Sequence, residues 1–532
     1  MRKPHAQTPH VGHKRKRFAM RKLRTALTRD FALLLFIALI STLCHLLVAG
    51  NYGYFLDELY TLACSRNVSL AFVDIPPVAP ALLALNTAVF GDSLFALHIL
   101  PSVFSGVMVL LVGLMAKELG GKRLAMLLSG LAAAFVPVWM ALGSLYTYDF
   151  LDQLTLVLLF FALIKLLKTE NMKWWLLIGV IAGVGLMVKP SQVFFLAAMA
   201  LALLLTKHRK MFLTIWPWLG ASIAFVIILP AIIWQAANGF PIAEYWLSYS
   251  SMKTVRVGAL EFILMQVIGV NPFLLPVWIA GLCYFLFHKE GKRYRLLGVI
   301  FIILFLIFLA TGAKMYMPIP AYAMLLAAGA VVIEKFAHKK WRKALVAVFL
   351  CLIVVTGVIQ APNFMPILPV DGLITYYNTV GRFFGITSIK LDNGGAMALP
   401  QYFYDRFEWD VLVRDVAAAY NSLSEEQKKE TVIVSQNYGW AGAVDQFGAA
   451  YGLPKAMCGQ LNYYFFSLDN IAAKSWIMIG ESMRELQKVF GSVKVLKVSI
   501  TRYRRPNQIP IYLCTEPKFT PEEALAAIKK FE

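Results

Sequence analysis

The sequence predicts a polytopic α-helical membrane protein that carries a C-terminal α/β domain outside the membrane. Three observations predict it. Of 532 residues, 59% are hydrophobic and 15% charged, more apolar than soluble chains of this length. Apolar segments recur at about the 20-residue length that a helix needs to cross the hydrocarbon. The loops between them alternate between Lys/Arg clusters and stretches without them, as in a chain threaded with its basic loops in the cytoplasm. The formal net charge of +21 comes largely from these clusters. They sit in short loops and not along a groove, so nucleic acid is not an expected partner.

The chain opens on a basic arm, 1–30, that includes Lys14-Arg15-Lys16-Arg17. It reads as a cytoplasmic, topogenic flank. The apolar run 31–50 has no small-residue cleavage site after it, so a retained signal anchor is expected. Further apolar segments fall near 95–117, 122–142, 150–168, 173–188, 191–206, 212–234, 260–287, 296–312, 318–334 and 344–361. That predicts about 11 transmembrane helices within a membrane domain over 31–362. The segments 173–188 and 191–206 are short enough to be tilted or re-entrant. With the N-terminus inside, the even loops are 117–123, 165–173, 207–210, 288–295 and 335–343, and each holds a basic cluster. An odd number of spans then places the C-terminal region on the extracytoplasmic side.

From 363 onward charges, Asn, Gln and Gly are spread throughout, and no further span occurs. The region 363–532 reads as an extracytoplasmic α/β domain. A helix is predicted over 411–423, and strands at 431–435, 493–500 and 509–514. A final helix opens with Thr520 as N-cap and Pro521 in its first turn. Six cysteines are scattered without metal spacing; Cys458 and Cys514 could pair in an oxidising compartment or stay free thiols.

The candidate site residues lie in the outward loops. The first loop carries Asp57 and Glu58 among aromatics in Asn51-Tyr-Gly-Tyr-Phe-Leu-Asp-Glu-Leu-Tyr60, then Arg66, Asp74 and Pro76-Pro77. Carboxylates beside hydrocarbon are costly to place, which points to function, although a wet loop beside a helix end also carries acids. The stretch 60–72 alternates well enough for a helix lying on the membrane surface. In the second loop Asp149 and Asp152 share a helix face. Asp149 suits an N-cap; Asp152, a turn deeper, is the better functional candidate. Lys189 stands alone in a short outward hairpin, placed to snorkel or to meet a phosphate. The fourth loop holds Gln235, Glu244, Tyr245, Trp246, Lys253 and Arg256, and the fifth Lys314 and Tyr316.

Acids and bases gathered on one membrane face suit a lipid-linked phosphate. Cations would hold the phosphate as a leaving group, and a carboxylate would take a proton from an incoming nucleophile. A divalent cation on Asp57, Glu58, Asp74 and Asp152 is a further possibility. No Gly-rich phosphate loop, HExxH or Cys/His cluster occurs, so cytosolic nucleotide is not expected to drive the chemistry.

At these residues the chain resembles the GT-C glycosyltransferases of family 39, which hold protein O-mannosyltransferases and lipid A aminoarabinose transferases. It is most similar to a bacterial branch of that family. The resemblance is carried by Gly53-Tyr-Phe-Leu-Asp57-Glu58-Leu-Tyr60, Asp74-Ile-Pro-Pro77 and Phe90-Gly-Asp-Ser-Leu-Phe-Ala-Leu-His98 with Leu100-Pro101. It continues through Trp234-Gln-Ala-Ala-Asn-Gly239, Asn271-Pro272, Pro276-Val-Trp278, Lys314-Met-Tyr316, Asn437-Tyr-Gly439 and Ile511-Tyr-Leu-Cys514. It implies an inverting transferase with a polyprenyl-phosphate sugar as donor and an acceptor in the cell envelope, whether lipid, glycan or protein. It implies a catalytic acid at Asp57, with Glu58 beside it and Asp152 as the second-loop acid, and Lys189 and Lys314 near the lipid phosphate. Arg66, Asp74, Asp149, Gln235 and Tyr316 join them as expected substrate-binding residues. The chain departs from the aminoarabinose transferases at Asp74-Ile75, where they carry Glu-Lys before the proline pair. A flippase for the same lipids, or a non-catalytic scaffold that binds lipid-linked glycan, are the alternatives. A flippase needs polar residues inside the spans, and these spans are nearly free of charge.

Overall fold

The computed structural model describes residues 10–252, 258–381, 389–390, 396–397, 399–468, 470–504 and 506–531. Lys253 and Arg256 lie outside the described residues. A single helix, His10–Val48, carries the basic arm into the first apolar segment. All eleven apolar segments are helical. Among the described residues seven helices are long and apolar enough to cross a membrane singly: Arg29–Val48, Leu94–Glu118, Tyr148–Thr169, Ile215–Ala237, Glu290–Thr311, Ile319–Phe336 and Lys340–Asn363. Two pairs bent by 106° and 90°, Gln192–Leu205 with Lys207–Leu213 and Ala259–Val270 with Pro272–Phe287, bring the number to nine if each is one span.

The difference from eleven has local causes. The segment 122–142 splits into Arg123–Ala134 and Pro137–Leu142. Pro137 has no N–H for the helix ladder and pushes Val136 into an extended conformation, as its φ of −76° and ψ of 115° show. The segment 260–287 turns at Asn271, which adopts a φ of 82° directly before Pro272. The segment 173–188 forms only Trp174–Leu186.

Helix Tyr148–Thr169 runs between two contrasting ends of the bundle, about 33 Å apart at 1.5 Å per residue. At one end the basic loops meet each other. Arg123 pairs with Asp30 at 3.8 Å, Lys165 and Lys168 with Glu118 at 3.2 and 3.1 Å, and Arg293 with Glu170 at 2.8 Å. Lys335 pairs with Glu290, and Glu334 accepts from the backbone N–H of Lys122 and Ala125. Four of the five basic loops thus share one end, as their alternation along the chain requires.

The other end is covered by the C-terminal domain. Its five-stranded sheet runs in the order Ala456–Cys458, Thr431–Ser435, Ser475–Ile479, Gln508–Pro517, Phe490–Ile500. The first three strands are parallel and the last two antiparallel. The expected strands all form. Ala456–Cys458 and Ser475–Ile479 were not expected; both are short and mostly buried, so neither shows an in–out alternation. The predicted helices appear as Trp409–Asn421 and Pro521–Ile528. In the latter Thr520 and Glu523 form a reciprocal capping box. Cys458 and Cys514 are free, on strands separated by two others.

The first loop is stitched to the C-terminal part. Asn51 Nδ2 donates to Pro366 O at 2.8 Å, Tyr52 Oη to Leu368 O at 2.6 Å, and Trp409 Nε1 to Tyr54 O at 2.7 Å. The expected surface helix over 60–72 is instead Leu56–Arg66, buried from Glu58 through Ser65. It does not float on lipid, because helix Tyr438–Phe447 of the C-terminal domain lies across it. Gly439 and Gly442 permit that approach: a Cβ on Gly442 would sit 2.9 Å from Leu59 Cβ.

Candidate active site

The acidic pair divides at once. The N-terminal turn of helix Leu56–Arg66 sends Asp57 and Glu58 in different directions, as neighbours on a helix must point. Glu58 is fully buried. Its Oε2 accepts from Phe55 N at 2.7 Å, and its Oε1 accepts from Tyr146 N at 2.7 Å and lies 2.8 Å from His98 Nε2. His98 Nδ1 in turn lies 2.6 Å from Ala49 O. Burial would raise the Glu58 pKa, but His98, Arg406 and the Phe55 N–H together hold it below the ordinary value. Glu58 therefore ties three segments together. Both its oxygens are already taken by nitrogen donors, so the donor set does not fit a divalent cation shared with Asp57. Among the described residues no group of three or more His, Cys, Asp or Glu is placed to hold a metal ion.

Asp57 is half-buried and points away from the Glu58 partners. Its Oδ1 accepts from Tyr438 Oη of the C-terminal domain at 2.7 Å. Burial raises its pKa; Tyr438 and Lys314 pull it down, while Asp149 and Glu58 push it up. The second and third loops meet beside it. Lys189 Nζ donates to Asp149 Oδ1 at 2.6 Å and lies over the rings of Tyr148 and Tyr316, at 5.2 and 4.9 Å. Burial opposes the Lys189 ammonium, yet Asp149, Tyr316 and Asp152 hold its pKa above the usual lysine value.

Asp149 is therefore not the helix cap expected from the sequence. The N-cap position is Thr147, and Asp149 spends its charge on Lys189. Asp152, one turn deeper, is buried and accepts from Gln192 Nε2 at 2.9 Å. Gln192 also donates to Thr155 Oγ1 at 2.6 Å. Asp152 lies behind the Asp149–Lys189 pair and adds negative charge to it.

Asp74 joins from the far side of the first loop. Its Oδ1 accepts from Tyr60 Oη at 2.5 Å and from Asn462 Nδ2 at 3.2 Å. Burial raises its pKa to about 7, against the pull of Tyr60 and of nearby backbone N–H groups. The rings of Tyr60 and Tyr438 lie 4.9 Å apart, linking Asp74 to Asp57. Asp405 is also pushed up to about 7 by burial.

The structure thus brings together Asp57, Asp149, Asp152, Lys189, Lys314, Tyr316 and Asp74. It does not bring Arg66 or Gln235 to them. Arg66 is at the exposed end of its helix, 3.4 Å from Asp92 and bonded to Gln446. Gln235 donates to Phe72 O at 2.8 Å and accepts from Ile242 N at 3.2 Å, which braces the first loop from the side. Sequence reasoning missed Tyr438, Asn462, His98 and Gln192 as site residues. Tyr438 lies in the turn-rich Asn437-Tyr-Gly439 and His98 ends the motif 90–98, both visible in the sequence; nothing local marks Asn462 or Gln192.

The bundle with its covering α/β domain has the GT-C fold, shared with two solved ArnT structures. The crystal structure of ArnT from Cupriavidus metallidurans bound to undecaprenyl phosphate matches it with a TM-score of 0.59 at 12% identity. That match covers 90% of this chain and 97% of that one. The apo form matches with a TM-score of 0.60 at 12% identity, covering 95% and 99%. The family model described as dolichyl-phosphate-mannose-protein mannosyltransferase matches residues 74–234.

Among curated relatives, one is an undecaprenyl phosphate-alpha-4-amino-4-deoxy-L-arabinose arabinosyl transferase from Pseudomonas fluorescens. It is 26% identical over 38% of this chain and 40% of its own. A second, of the same description, comes from Pseudomonas savastanoi pv. phaseolicola and is 28% identical over 41% and 43%. The chain spans about two fifths of the length of these relatives. The resemblance read from the motifs is borne out at the level of the GT-C fold.

Proposed function

We propose that this protein is an inverting membrane glycosyltransferase that moves a sugar from a polyprenyl-phosphate donor to an extracytoplasmic acceptor. The observation that carries this reading is the Asp57 carboxylate held in one site with two lysines, Lys189 and Lys314, at one end of a bundle of GT-C fold. Relatives named for undecaprenyl-phosphate sugars, and a structural neighbour solved with undecaprenyl phosphate, support the donor class. The basic loops at the far end support a cytoplasmic N-terminus and an outward site.

In this reading Lys189 and Lys314 receive the donor phosphate, with Lys189 leaving Asp149 in part to do so. An acceptor hydroxyl approaches the anomeric carbon from the face opposite the phosphate. The new C1–O bond forms as the C1–O(phosphate) bond breaks; the leaving electron pair stays on the polyprenyl phosphate, and the acceptor proton passes to Asp57. Two fixed cations beside the leaving group stabilise charge where it develops. Asp57 serves as base because it is half-buried near Lys314, whereas Asp149, also half-buried, is already bonded to Lys189. Glu58 keeps its loop in place.

The test is Asp57→Asn in membrane vesicles supplied with isotopically labelled undecaprenyl-phosphate sugars extracted from the host, with envelope fractions as acceptor. Loss of label transfer by about 10²-fold or more is expected. Unchanged transfer overturns the proposal.

A further inference from the structure

The C-terminal domain does more than sit on the bundle. Its parallel strands end toward the acids, and the turns that follow two of them supply Tyr438 and Asn462. Ligand crevices in open α/β sheets lie at such carboxyl ends. We propose that Tyr438 is a positioning residue for sugar transfer, using its hydroxyl to hold one oxygen of Asp57 so that the other faces the acceptor. This rests on the transferase reading above.

The surroundings of Tyr438 are built to fix that hydroxyl. Its backbone N–H donates to Gln460 Oε1 at 3.0 Å, which joins the two turns at the strand ends. Asn437 caps the helix that Tyr438 opens, accepting from Gly439 N at 2.8 Å. Gly439 has no room for a side chain, since a Cβ there would lie 2.5 Å from Leu56 Cγ. The backbone of Tyr438 is thus held against the helix that carries Asp57. Its ring packs on Tyr60, and Asn462 from the neighbouring turn binds Tyr60 and Asp74. Both outward acids of the first loop are therefore oriented by one rigid sheet edge.

A phenylalanine would fill the same space. The hydroxyl adds a charge-assisted hydrogen bond to Asp57 in a half-buried place. Charged or titratable groups that act on Asp57 include the acids Asp149, Asp74, Asp405 and Glu58, and Lys314. Against the push of Asp149 and Glu58, the Tyr438 hydroxyl is a donor that favours an ionised Asp57. Removing the hydroxyl makes Asp57 easier to protonate, so the acid limb of the pH–rate profile moves to higher pH.

The experiment uses the full chain in vesicles with labelled undecaprenyl-phosphate sugars from the host. Tyr438→Phe is expected to lower kcat about 10- to 100-fold, to leave the donor KM unchanged and to raise the pH of the acid limb. Adding Tyr438→Phe to Asp57→Asn is expected to cost nothing further, because Tyr438 acts through Asp57. A fluorinated tyrosine at 438, which keeps the shape and donates more strongly, is expected to move the acid limb to lower pH. That arm answers the question even if the phenylalanine variant does not accumulate. If Asp57→Asn abolishes transfer while the Tyr438 variants leave kcat and the pH profile unchanged, this proposal is overturned and the transferase reading stands. If Asp57→Asn changes nothing, the transferase reading itself fails.

Discussion

Lys335 and Glu290, at the basic end of the bundle, have side chains 43% and 59% exposed, and Arg293 and Glu170 are 44% and 76% exposed. At the other end Lys189 and Asp149 are 12% and 17% exposed, and His98 and Glu58 only 1% and 0%. The pairings look alike in a contact map and differ in what they can do. Exposed pairs gain little, because water and salt screen them; their Lys and Arg matter through where they leave the loop. Buried charges are costly to desolvate and persist only with partners on every side. Charge kept at that cost, in a site open enough for Asp57 to stay half-buried, points to chemistry.

The contrast can be broken most sharply at Glu58. Glu58→Ala strips the acceptor from Phe55 N, Tyr146 N and His98 at once and leaves them buried. A loss of about 3–5 kcal/mol is expected, read as a lower melting temperature in detergent and reduced abundance in membranes, with Glu58→Gln recovering part of it. An unchanged melting temperature would mean that the buried end is no more dependent on its charges than the exposed one.

Lys189→Met tests function at the same end. It keeps most of the side-chain volume and removes the cation from Asp149 and from the expected phosphate. A fall in kcat/KM of about 10²-fold, or roughly 2.7 kcal/mol of transition-state stabilisation, is expected. Transfer assays across donor concentrations read it, and a variant with normal kcat/KM would remove Lys189 from the phosphate site. The smallest effect belongs to the basic end. Lys335→Ala breaks an exposed pair and is expected to change stability by no more than about 1 kcal/mol. A large drop in melting temperature there would erase the distinction between the ends.

Much of the fold was legible because membranes impose a simple rule on sequence. Every apolar segment became a helix, since the hydrocarbon leaves backbone groups no other partner. The alternation of basic loops anticipated which loops meet at one end. What misled was length alone: Pro137 and Asn271-Pro272 break or bend segments that hydropathy reads as continuous. At the site, Asp57, Lys189 and Lys314 stood out because charges at the ends of apolar spans are conspicuous. Asp149 was misread as a cap because the sequence shows the helix start but not Lys189, forty residues away. Arg66 was conspicuous for the same reason as Asp57, and Gln235 through the resemblance, yet their partners turn them to other work.

By itself the sequence determined which segments are apolar helices, the grouping of acids and lysines in the loops between the basic ones, and the polar domain that follows them. Those depend on local composition and on the solvent each segment meets. The tertiary structure alone decided which acid of the pair is free to act. Glu58 and Asp57 are neighbours with the same functional group. Phe55 N from its own turn and two nitrogens from distant segments, Tyr146 N and His98 Nε2, close around one, while a tyrosine more than 380 residues further on holds a single oxygen of the other. Which oxygens remain open is set by contacts between segments far apart in the chain, and no local pattern encodes it.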